Sequence, residues 1–285
     1  MSWYSFHMLR VGVLSYESHQ SCAIVRGLLD SKIFEPVVIV RSTVIDPRRK
    51  GLPLLRFLGN RDRRSFVLRK GLEVQASRAA RTFHTLLSRP PISLKSMSNS
   101  LGIPCFDCAS LGSEELLSAV SATNCDLLLS VHFNHLLTEP WRTVSRLGAI
   151  NVHGSLLPAH RGLFPHFFAL SDGDSTGGVT VHWIDDRLDT GRAIAVQPIK
   201  IESADTVFGL ANKAIPASIL AITEAIRAIE LHETSAGLDP QPSGPTRYHS
   251  WPTRADMKRL KQQKRRYLRS SELLGLFGRN SRPVR

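Results

Sequence analysis

Short apolar runs alternate along the chain with segments in which apolar residues recur at helical spacing. Residues 9–14 and 36–40 are continuous runs of the kind that buried parallel strands show. Residues 22–29, between these runs, carry the helical spacing. Because a strand, a helix and a second strand in this order form a βαβ unit, the pattern predicts a parallel sheet with a helical crossover.

The same alternation continues along most of the chain. It predicts further strands at 103–106, 126–132, 149–153 and 178–184, and helices at 65–87, 113–120, 139–146 and 206–231. The fold class that follows is α/β, a Rossmann-like, doubly wound and mostly parallel sheet, in which ligands bind at the carboxyl ends of the strands. The first strand-to-helix turn, residues 15–21, contains no glycine, so the glycine-rich fingerprint of dinucleotide-binding enzymes is absent.

Two segments interrupt the alternation. Residues 41–64 are rich in proline, glycine and arginine, and residues 237–252 are rich in proline and glycine. We therefore predict one catalytic domain, residues 1–231, with a basic insert at 41–64. A linker and a basic C-terminal extension, residues 232–285, follow it, and residues 255–274 are expected to be partly helical.

The composition adds the charge to this picture. The 285 residues carry a formal net charge of +13, and their hydrophobic and charged fractions are those of a globular protein rather than a disordered or fibrous one. Residues 41–70 account for +8 and residues 254–285 for +9, so the rest of the chain is mildly acidic. The basicity therefore belongs to two segments and is compatible with several functions.

Nothing in the sequence predicts a membrane or secreted protein. No apolar run approaches the ~20 residues that a membrane-spanning helix needs. The first 14 residues also lack the order of a secretory signal, since Arg10 interrupts them. We expect no transmembrane segment and a cytoplasmic location.

Cys105 and Cys108 form a C-x-x-C pair, which elsewhere is half of a zinc site or a redox pair. No second pair and no spaced histidines supply the other half of a zinc site. The two cysteines are therefore expected to be small residues on a strand, and the sequence predicts no bound metal.

The window from residue 148 to residue 192 carries the candidate chemistry. Asn151 and His153 are two residues apart on a predicted strand and so share one of its faces. Asp189 follows the predicted strand at 178–184. The set contains no serine or cysteine nucleophile, so it favours direct acyl transfer between bound substrates over covalent catalysis.

An amine that attacks an acyl carbon generates a negative oxygen and a positive nitrogen. Asn151 can donate a hydrogen bond to that oxygen, as can His153 when it is protonated or in the right tautomer. Removing one such donor typically costs ~2.7–4 kcal/mol. Asp189 can hold His153 charged or take the amine proton, directly or through water.

Several short motifs occur in this window in a fixed order. INVHGSLLP at 150–158, RG at 161–162, GVTVH at 178–182 and LDTG at 188–191 together resemble the signature of folate-dependent formyltransferases. The resemblance extends over residues 125–214. It implies a Rossmann-like formyltransferase domain that uses 10-formyltetrahydrofolate as the formyl donor, with Asn151, His153 and Asp189 matching the catalytic triad.

The same resemblance implies two folate-binding segments. The first matches the stretch whose backbone meets the pterin ring, and the second matches the other folate loop. The residues concerned are His135, Leu136 and Leu137 in the first, and Asp185, Asp186 and Leu188 in the second.

The acceptor is the open question at this point. The leading reading is a primary amine on a small molecule, such as a sugar, amino-acid derivative or nucleotide-linked compound, with or without phosphate. The alternative is aminoacyl-tRNA, because the basic insert matches the place where tRNA enzymes of the family enter the acceptor stem, and clustered Lys and Arg attract phosphate. Against it, residues 232–285 are expected to be too few for the C-terminal barrel of those enzymes. Hydrolysis of the formyl donor and a purely binding role are further alternatives.

Overall fold

A computed structural model of the protein describes residues 8–44, 60–87, 93–232, 237 and 246–278. The strands are β1 (Arg10–Tyr16), β2 (Glu35–Ser42), β3 (Cys105–Cys108), β4 (Leu127–Val131), β5 (Ala149–His153), β6 (Arg161–Gly162), β7 (Thr176–Trp183), β8 (Ala193–Lys200) and β9 (Tyr248–His249). The helices are α1 (His19–Ser31), α2 (Arg64–Leu86), α3 (Leu94–Leu101), α4 (Glu114–Ser121), α5 (Pro165–Asp172), α6 (Val207–His232), α7 (Arg254–Gln262) and α8 (Ser270–Gly275).

Seven of the strands form one sheet in the order β3-β2-β1-β4-β5-β7-β8. The first five of these are parallel, whereas β7 runs antiparallel to β5 and β8 runs antiparallel to β7. Apolar residues of the central strands are fully buried, since helices cover both faces of a sheet of this type. The prediction of an α/β, Rossmann-like, mostly parallel sheet is confirmed.

The ends of α1 show how local sequence sets the βαβ unit. Ser18 is the N-cap, and its hydroxyl accepts a hydrogen bond from the backbone N–H of Ser21, which satisfies a donor that the first turn would leave unpaired. Lys32 ends the helix in the left-handed conformation, with φ of 52°. The chain then turns back into β2, in parallel register with β1.

The prediction of a helix at 139–146 is wrong. These residues form successive turns, in which the N–H of Trp141 bonds to the carbonyl of Thr138 and that of Thr143 to Pro140. The Trp141 side chain is almost fully buried, and its indole N–H donates to the carbonyl of Leu111 at 2.7 Å. Tertiary packing of this one side chain outweighs the helical spacing of the segment.

Five elements are absent from the sequence-based prediction: α3, α5, β8 and the two-residue strands β6 and β9. α3 is a mostly polar helix whose start is fixed by a capping box between Ser93 and Ser96. α5 begins after Phe164, which is in the left-handed conformation with φ of 56°. β8 completes the sheet beside β7.

The C-terminal extension packs on the body of the protein. α7 lies against α5 and α2, and Met257, Leu260 and Tyr267 are buried in the same core as the central strands. The expected partly helical C-terminal segment is therefore confirmed. The division at residue 231 stays a prediction, and most of the predicted insert, residues 45–59, lies outside the described residues.

Two smaller sequence-based expectations can also be compared with the structure. Cys105 and Cys108 begin and end β3, and both are free thiols, as are Cys22 and Cys125. Burial raises the pKa of the Cys108 thiol to about 11.

Among the described residues, no helix has the length and apolar character needed to cross a membrane.

Candidate active site

The candidate site begins where three strands bring polar side chains into register. Asn151 on β5 lies opposite Ser130 on β4 and opposite His182 on β7. Both neighbours were missed by the sequence analysis, although Ser130 is the polar residue within the apolar strand β4 and His182 lies within a quoted motif. Strand register, which no local pattern reveals, places them at the site.

These neighbours fix the orientation of the Asn151 amide. His182 Nδ1 lies 2.7 Å from the carbonyl oxygen of Trp183, so it carries the proton and Nε2 accepts. Asn151 Nδ2 lies 3.3 Å from His182 Nε2 and donates to it, while Asn151 Oδ1 accepts from the Ser130 hydroxyl at 2.8 Å. Burial lowers the pKa of His182 and so keeps the ring neutral, although the charge of Asp189 acts in the opposite direction. One amide N–H of Asn151 remains for a substrate oxygen.

His153 at the end of β5 has two different nitrogen environments. Nε2 lies 2.9 Å from the carbonyl oxygen of His160, so it donates its proton there. Nδ1 faces Asp189 Oδ2 at 3.6 Å, outside hydrogen-bond distance. In the neutral ring Nδ1 therefore has a free lone pair. It can take up a proton, and it can donate a hydrogen bond only after doing so.

Asp189 reaches this cluster from the loop that follows β7. It is 5% exposed, and its backbone is left-handed with φ of 54°. Oδ2 accepts a 2.7 Å hydrogen bond from the backbone N–H of Gly162, and Oδ1 lies 3.7 Å from His182 Nε2. Gly191 lets the loop close, since a Cβ there would lie 1.7 Å from the carbonyl oxygen of Trp183.

The structure thus brings Asn151, His153 and Asp189 into one cluster at the carboxyl end of β5. Their catalytic role stays a prediction. The turn after His153 is held by Thr180, whose hydroxyl donates to the carbonyl of Ser155 at 2.7 Å and accepts from the N–H of Leu157 at 3.0 Å.

Further histidines and a lysine surround the cluster. His166 on α5 packs where Gly154 leaves room, since a Cβ on Gly154 would lie 2.7 Å from His166 Nε2. Burial, followed by the repulsion of His132, His153 and Lys70, lowers the pKa of His166 to about 3. Lys70 on α2 is paired with the buried carboxylate of Glu73 at 2.6 Å. The His166 ring is therefore neutral at pH 7.

The two predicted folate segments lie side by side. Leu137 is buried in a cluster with Trp141, and Ile184, just before the second segment, packs on the same cluster. Arg142, in the turns that follow the first segment, forms an ion pair with Asp186 of the second segment, with 2.5 Å between the guanidinium nitrogen and the carboxylate oxygen. The two segments therefore adjoin each other in the fold.

The individual residues of these segments face different ways. The His135 ring lies 3.1 Å from the Ser42 hydroxyl and 4.0 Å from Cys108 Sγ, so it turns toward β2 and β3. Leu136 is exposed, and Leu188 is half-buried. Asp185 accepts hydrogen bonds from the Thr190 hydroxyl at 2.6 Å and from the N–H of Arg187 at 3.1 Å. Exposed Leu136 offers an apolar contact, whereas Asp185 shapes its own loop. Folate binding by these residues stays a prediction.

One trio within the described residues has the side chains to hold a metal. His160, Asp172 and His249 each place a ligand atom within 4.8 Å of the others. Their distant positions in the sequence gave no spacing signal. The Asp172 carboxylate is paired with Arg247 at 2.6 Å and with Arg259 at 3.6 Å, and these cations oppose a bound metal ion. The absence of a metal stays a prediction.

The fold and the site define the class: an α/β protein with a Rossmann-like sheet and an Asn–His–Asp cluster at the carboxyl edge of its strands. The sequence profile of the family described as formyl transferase matches residues 74–226, more than half of the chain. The chain belongs to this formyl transferase family.

Curated relatives share part of the sequence. Methionyl-tRNA formyltransferase of Macrococcus caseolyticus is 39% identical over 128 residues, which is 45% of this chain and 41% of that protein. The enzyme of the same name from Staphylococcus aureus is 34% identical over 128 residues, which is 45% of this chain and 40% of that protein. The match thus spans about two fifths of the length of these relatives.

Solved structures share the fold. Glycinamide ribonucleotide transformylase 1 from Symbiobacterium toebii superposes with a TM-score of 0.55 at 22% identity, over 81% of this chain and 92% of that chain. A sugar N-formyltransferase from a Shewanella species has a TM-score of 0.51 at 14% identity, over 84% of this chain and 76% of that chain. At these identities the likeness concerns the fold alone.

Proposed function

We propose that the protein transfers a formyl group from 10-formyltetrahydrofolate to a primary amine on a small molecule, such as a sugar, an amino-acid derivative or a nucleotide-linked compound. The observation that carries this proposal is the convergence of Asn151, His153 and Asp189 at the carboxyl end of β5. Membership of the formyl transferase family supports the same reaction type.

The reaction forms one bond, breaks another and moves a proton. The amine nitrogen bonds to the formyl carbon, the bond from that carbon to N10 of the folate breaks, and a proton passes from the amine to N10. The free N–H of Asn151 and a protonated Nδ1 of His153 stabilise the negative oxygen of the tetrahedral intermediate. Asp189 faces that Nδ1 at 3.6 Å and stabilises the imidazolium.

Proton removal from the amine is the second role of this cluster. Asp189 Oδ1 is not occupied by the Gly162 N–H, which bonds to Oδ2. In this proposal, Oδ1 takes the amine proton directly or through one water molecule. The buried position of the carboxylate strengthens both interactions, because charges attract more strongly where water is excluded.

The donor is proposed to lie between the segments that contain Leu136 and Asp185. The Arg142–Asp186 ion pair holds these two walls together. In this proposal the N10 formyl group reaches Asn151 at the sheet edge where β4 and β5 end. The position supports the proposal, because ligands of such sheets bind at the carboxyl ends of the strands.

A direct assay tests the proposal. Purified protein is incubated with 10-formyltetrahydrofolate and a panel of amino sugars, amino acids and aminonucleotides, and tetrahydrofolate release is followed together with the mass of the acceptor. We expect one acceptor class to gain about 28 mass units, the mass of the CO that a formyl group adds, and to do so only with active protein. His153→Ala serves as the inactive control. Tetrahydrofolate release without a formylated acceptor would replace transfer by hydrolysis.

Aminoacyl-tRNA is the second candidate acceptor. The curated relatives named above are methionyl-tRNA formyltransferases, although the match covers about two fifths of each. A cavity lined by Arg69, Lys261, Lys264, Arg265 and Arg266 offers positive charge for phosphates. Formylation of charged initiator tRNA at a higher kcat/KM than any small amine would replace the first candidate.

A cytoplasmic location stays a prediction.

A further inference from the structure

A short backbone segment touches the candidate catalytic residues on one side only. The carbonyl of His160 accepts the His153 Nε2 proton at 2.9 Å, and the N–H of Gly162 donates to Asp189 at 2.7 Å. Residues 160 and 162 therefore face the site together, and Arg161 between them faces away.

The other side of this segment is paired with β9. The N–H of Arg161 donates to the carbonyl of Arg247 at 2.8 Å, and the N–H of Leu163 donates to the carbonyl of His249 at 3.0 Å. Gly162 makes this pairing sterically feasible, because a Cβ there would lie 2.2 Å from the carbonyl oxygen of His249. Its φ of 94° also favours glycine.

Side chains reinforce the pairing. His160 Nε2 lies 2.7 Å from Asp174 Oδ2, and His160 Nδ1 lies 3.0 Å from His249 Nε2. The His249 ring stacks on Phe168 of α5, with centroids 3.8 Å apart and planes 7° from parallel. His249 thus joins β9 to both His160 and α5.

The protons of this chain can be assigned from its partners. A carboxylate only accepts, so His160 donates from Nε2 to Asp174. With a neutral His160 ring, Nδ1 accepts from His249 Nε2–H. Burial lowers the pKa of His249, which agrees with a neutral ring. Of the charged groups facing these two rings, Asp172 is paired with Arg247 and Arg259.

We propose that His249 is a positioning residue for formyl transfer: its hydrogen bond to His160 and its stacking on Phe168 fix residues 160–162, whose backbone holds His153 and Asp189. This inference rests on the proposed function. It assigns a role at the site to β9, which lies beyond residues 74–226, the part matched by the family.

Three substitutions of His249 separate its contacts. His249→Gln keeps a donor for His160, His249→Phe keeps the stacking on Phe168, and His249→Ala keeps neither. Ser250→Ala, at the exposed neighbouring position, is the matched control. We expect kcat to fall about 100-fold in His249→Ala and about 10-fold in His249→Phe, while His249→Gln recovers most of it; one lost hydrogen bond accounts for about 10-fold. KM for both substrates should stay within about twofold, because none of these contacts involves a substrate.

A second readout is independent of activity. The Nε2 proton of His153, bonded to the His160 carbonyl, should give a slowly exchanging imidazole signal in nitrogen-15 NMR. We expect this signal to be lost or exchange-broadened in His249→Ala and retained in Ser250→Ala. If no formyl transfer is found with any acceptor, this measurement still tests the positioning, so the two proposals can fail separately.

Several outcomes would overturn the inference. One is a kcat within twofold of wild type in both His249→Ala and His249→Phe, with the His153 signal intact. Another is a fall in kcat that merely tracks a lower melting temperature and is not recovered by His249→Gln. A third is loss of activity on chelation with EDTA that zinc restores, which would make His160, Asp172 and His249 a metal site instead.

Discussion

The backbone N–H of Gly162 donates a 2.7 Å hydrogen bond to the carboxylate of Asp189, a residue 27 positions further along the chain. This contact links the segment after β5 to the loop after β7 at the candidate site. It also fixes Oδ2 and leaves Oδ1 beside His182 at 3.7 Å. The charge of Asp189 is therefore aimed at the cluster by a backbone contact.

Asp189→Asn should abolish most of the activity while the protein stays folded. The amide oxygen can still accept from Gly162, but the negative charge that stabilises protonated His153 is lost. We expect kcat to fall about 10²–10⁴-fold, the usual range for an acid–base group, as measured by tetrahydrofolate release. Asp30→Asn, on a 63% exposed side chain of α1, is the charge-matched control. A variant that turns over near the wild-type rate would remove Asp189 from the mechanism.

Ser130→Ala should lower kcat through the orientation of Asn151. The Ser130 hydroxyl donates to Asn151 Oδ1 at 2.8 Å, and its loss removes one of the two contacts that hold the amide. We expect a fall of about fivefold to tenfold, which corresponds to one hydrogen bond of about 1 kcal/mol. Ser171→Ala removes another buried hydroxyl, on α5, and controls for stability. Equal effects of both substitutions on kcat would argue against orientation.

Arg142→Gln should raise KM for the formyl donor and change kcat much less. Arg142 is 18% exposed and holds Asp186 at 2.5 Å, so its loss frees the loop at 185–188 from the opposite wall. We expect KM to rise severalfold in initial-rate measurements, consistent with a loss of about 1 kcal/mol of binding. Arg146→Gln removes a cation from the same stretch whose partner is Asp126. If KM is unchanged in Arg142→Gln, the donor does not lie between these walls.

His166 should make the protein less stable as the pH falls. Its pKa is about 3 in the folded protein and 6.5 without the fold. Below pH 6.5 the unfolded chain takes up a proton that folded His166 does not, so the free energy of unfolding decreases down to about pH 3. At pH 4 the lowered pKa of His166 reduces the free energy of unfolding by up to about 3 kcal/mol.

Thermal or urea unfolding of wild type and His166→Gln from pH 7 to pH 4 measures this contribution. The variant should lose less stability over that range, because carboxylates that titrate in both proteins cancel in the comparison. Parallel stability curves would show that His166 takes up its proton as readily in the folded protein as in the unfolded chain.

Local patterns were sufficient for the strand that carries Asn151 and His153 and for one long helix. The period of two along residues 149–153 put Asn151 and His153 on one face of the strand. His153 faces the Asp189 carboxylate directly, and Asn151 is linked to it through His182. The helical spacing at 206–231 predicted α6, which is Val207–His232. For α6 the pattern reflects burial of one face, which sequence records directly. For β5, whose two faces are both buried, it reflects the alternation of side chains along a strand.

Local patterns failed where a single distant contact decides the conformation. At residues 139–146 the buried indole of Trp141, bonded to Leu111, replaces the expected helix by turns. The metal-ligand spacing argument could not see that His160 and His249 meet, because β6 and β9 pair across a long sequence separation. Neither contact leaves a period in the sequence.

By itself, the sequence determined the α/β alternation, the family signature and the three candidate catalytic residues, because burial and short motifs are local properties. Only the tertiary structure decided which residues surround them. Ser130 and His182 reach Asn151 through the register of β4 and β7, and β9 reaches the site through β6. Register and pairing between distant segments depend on the energy of the whole sheet, so no stretch of sequence specifies them alone.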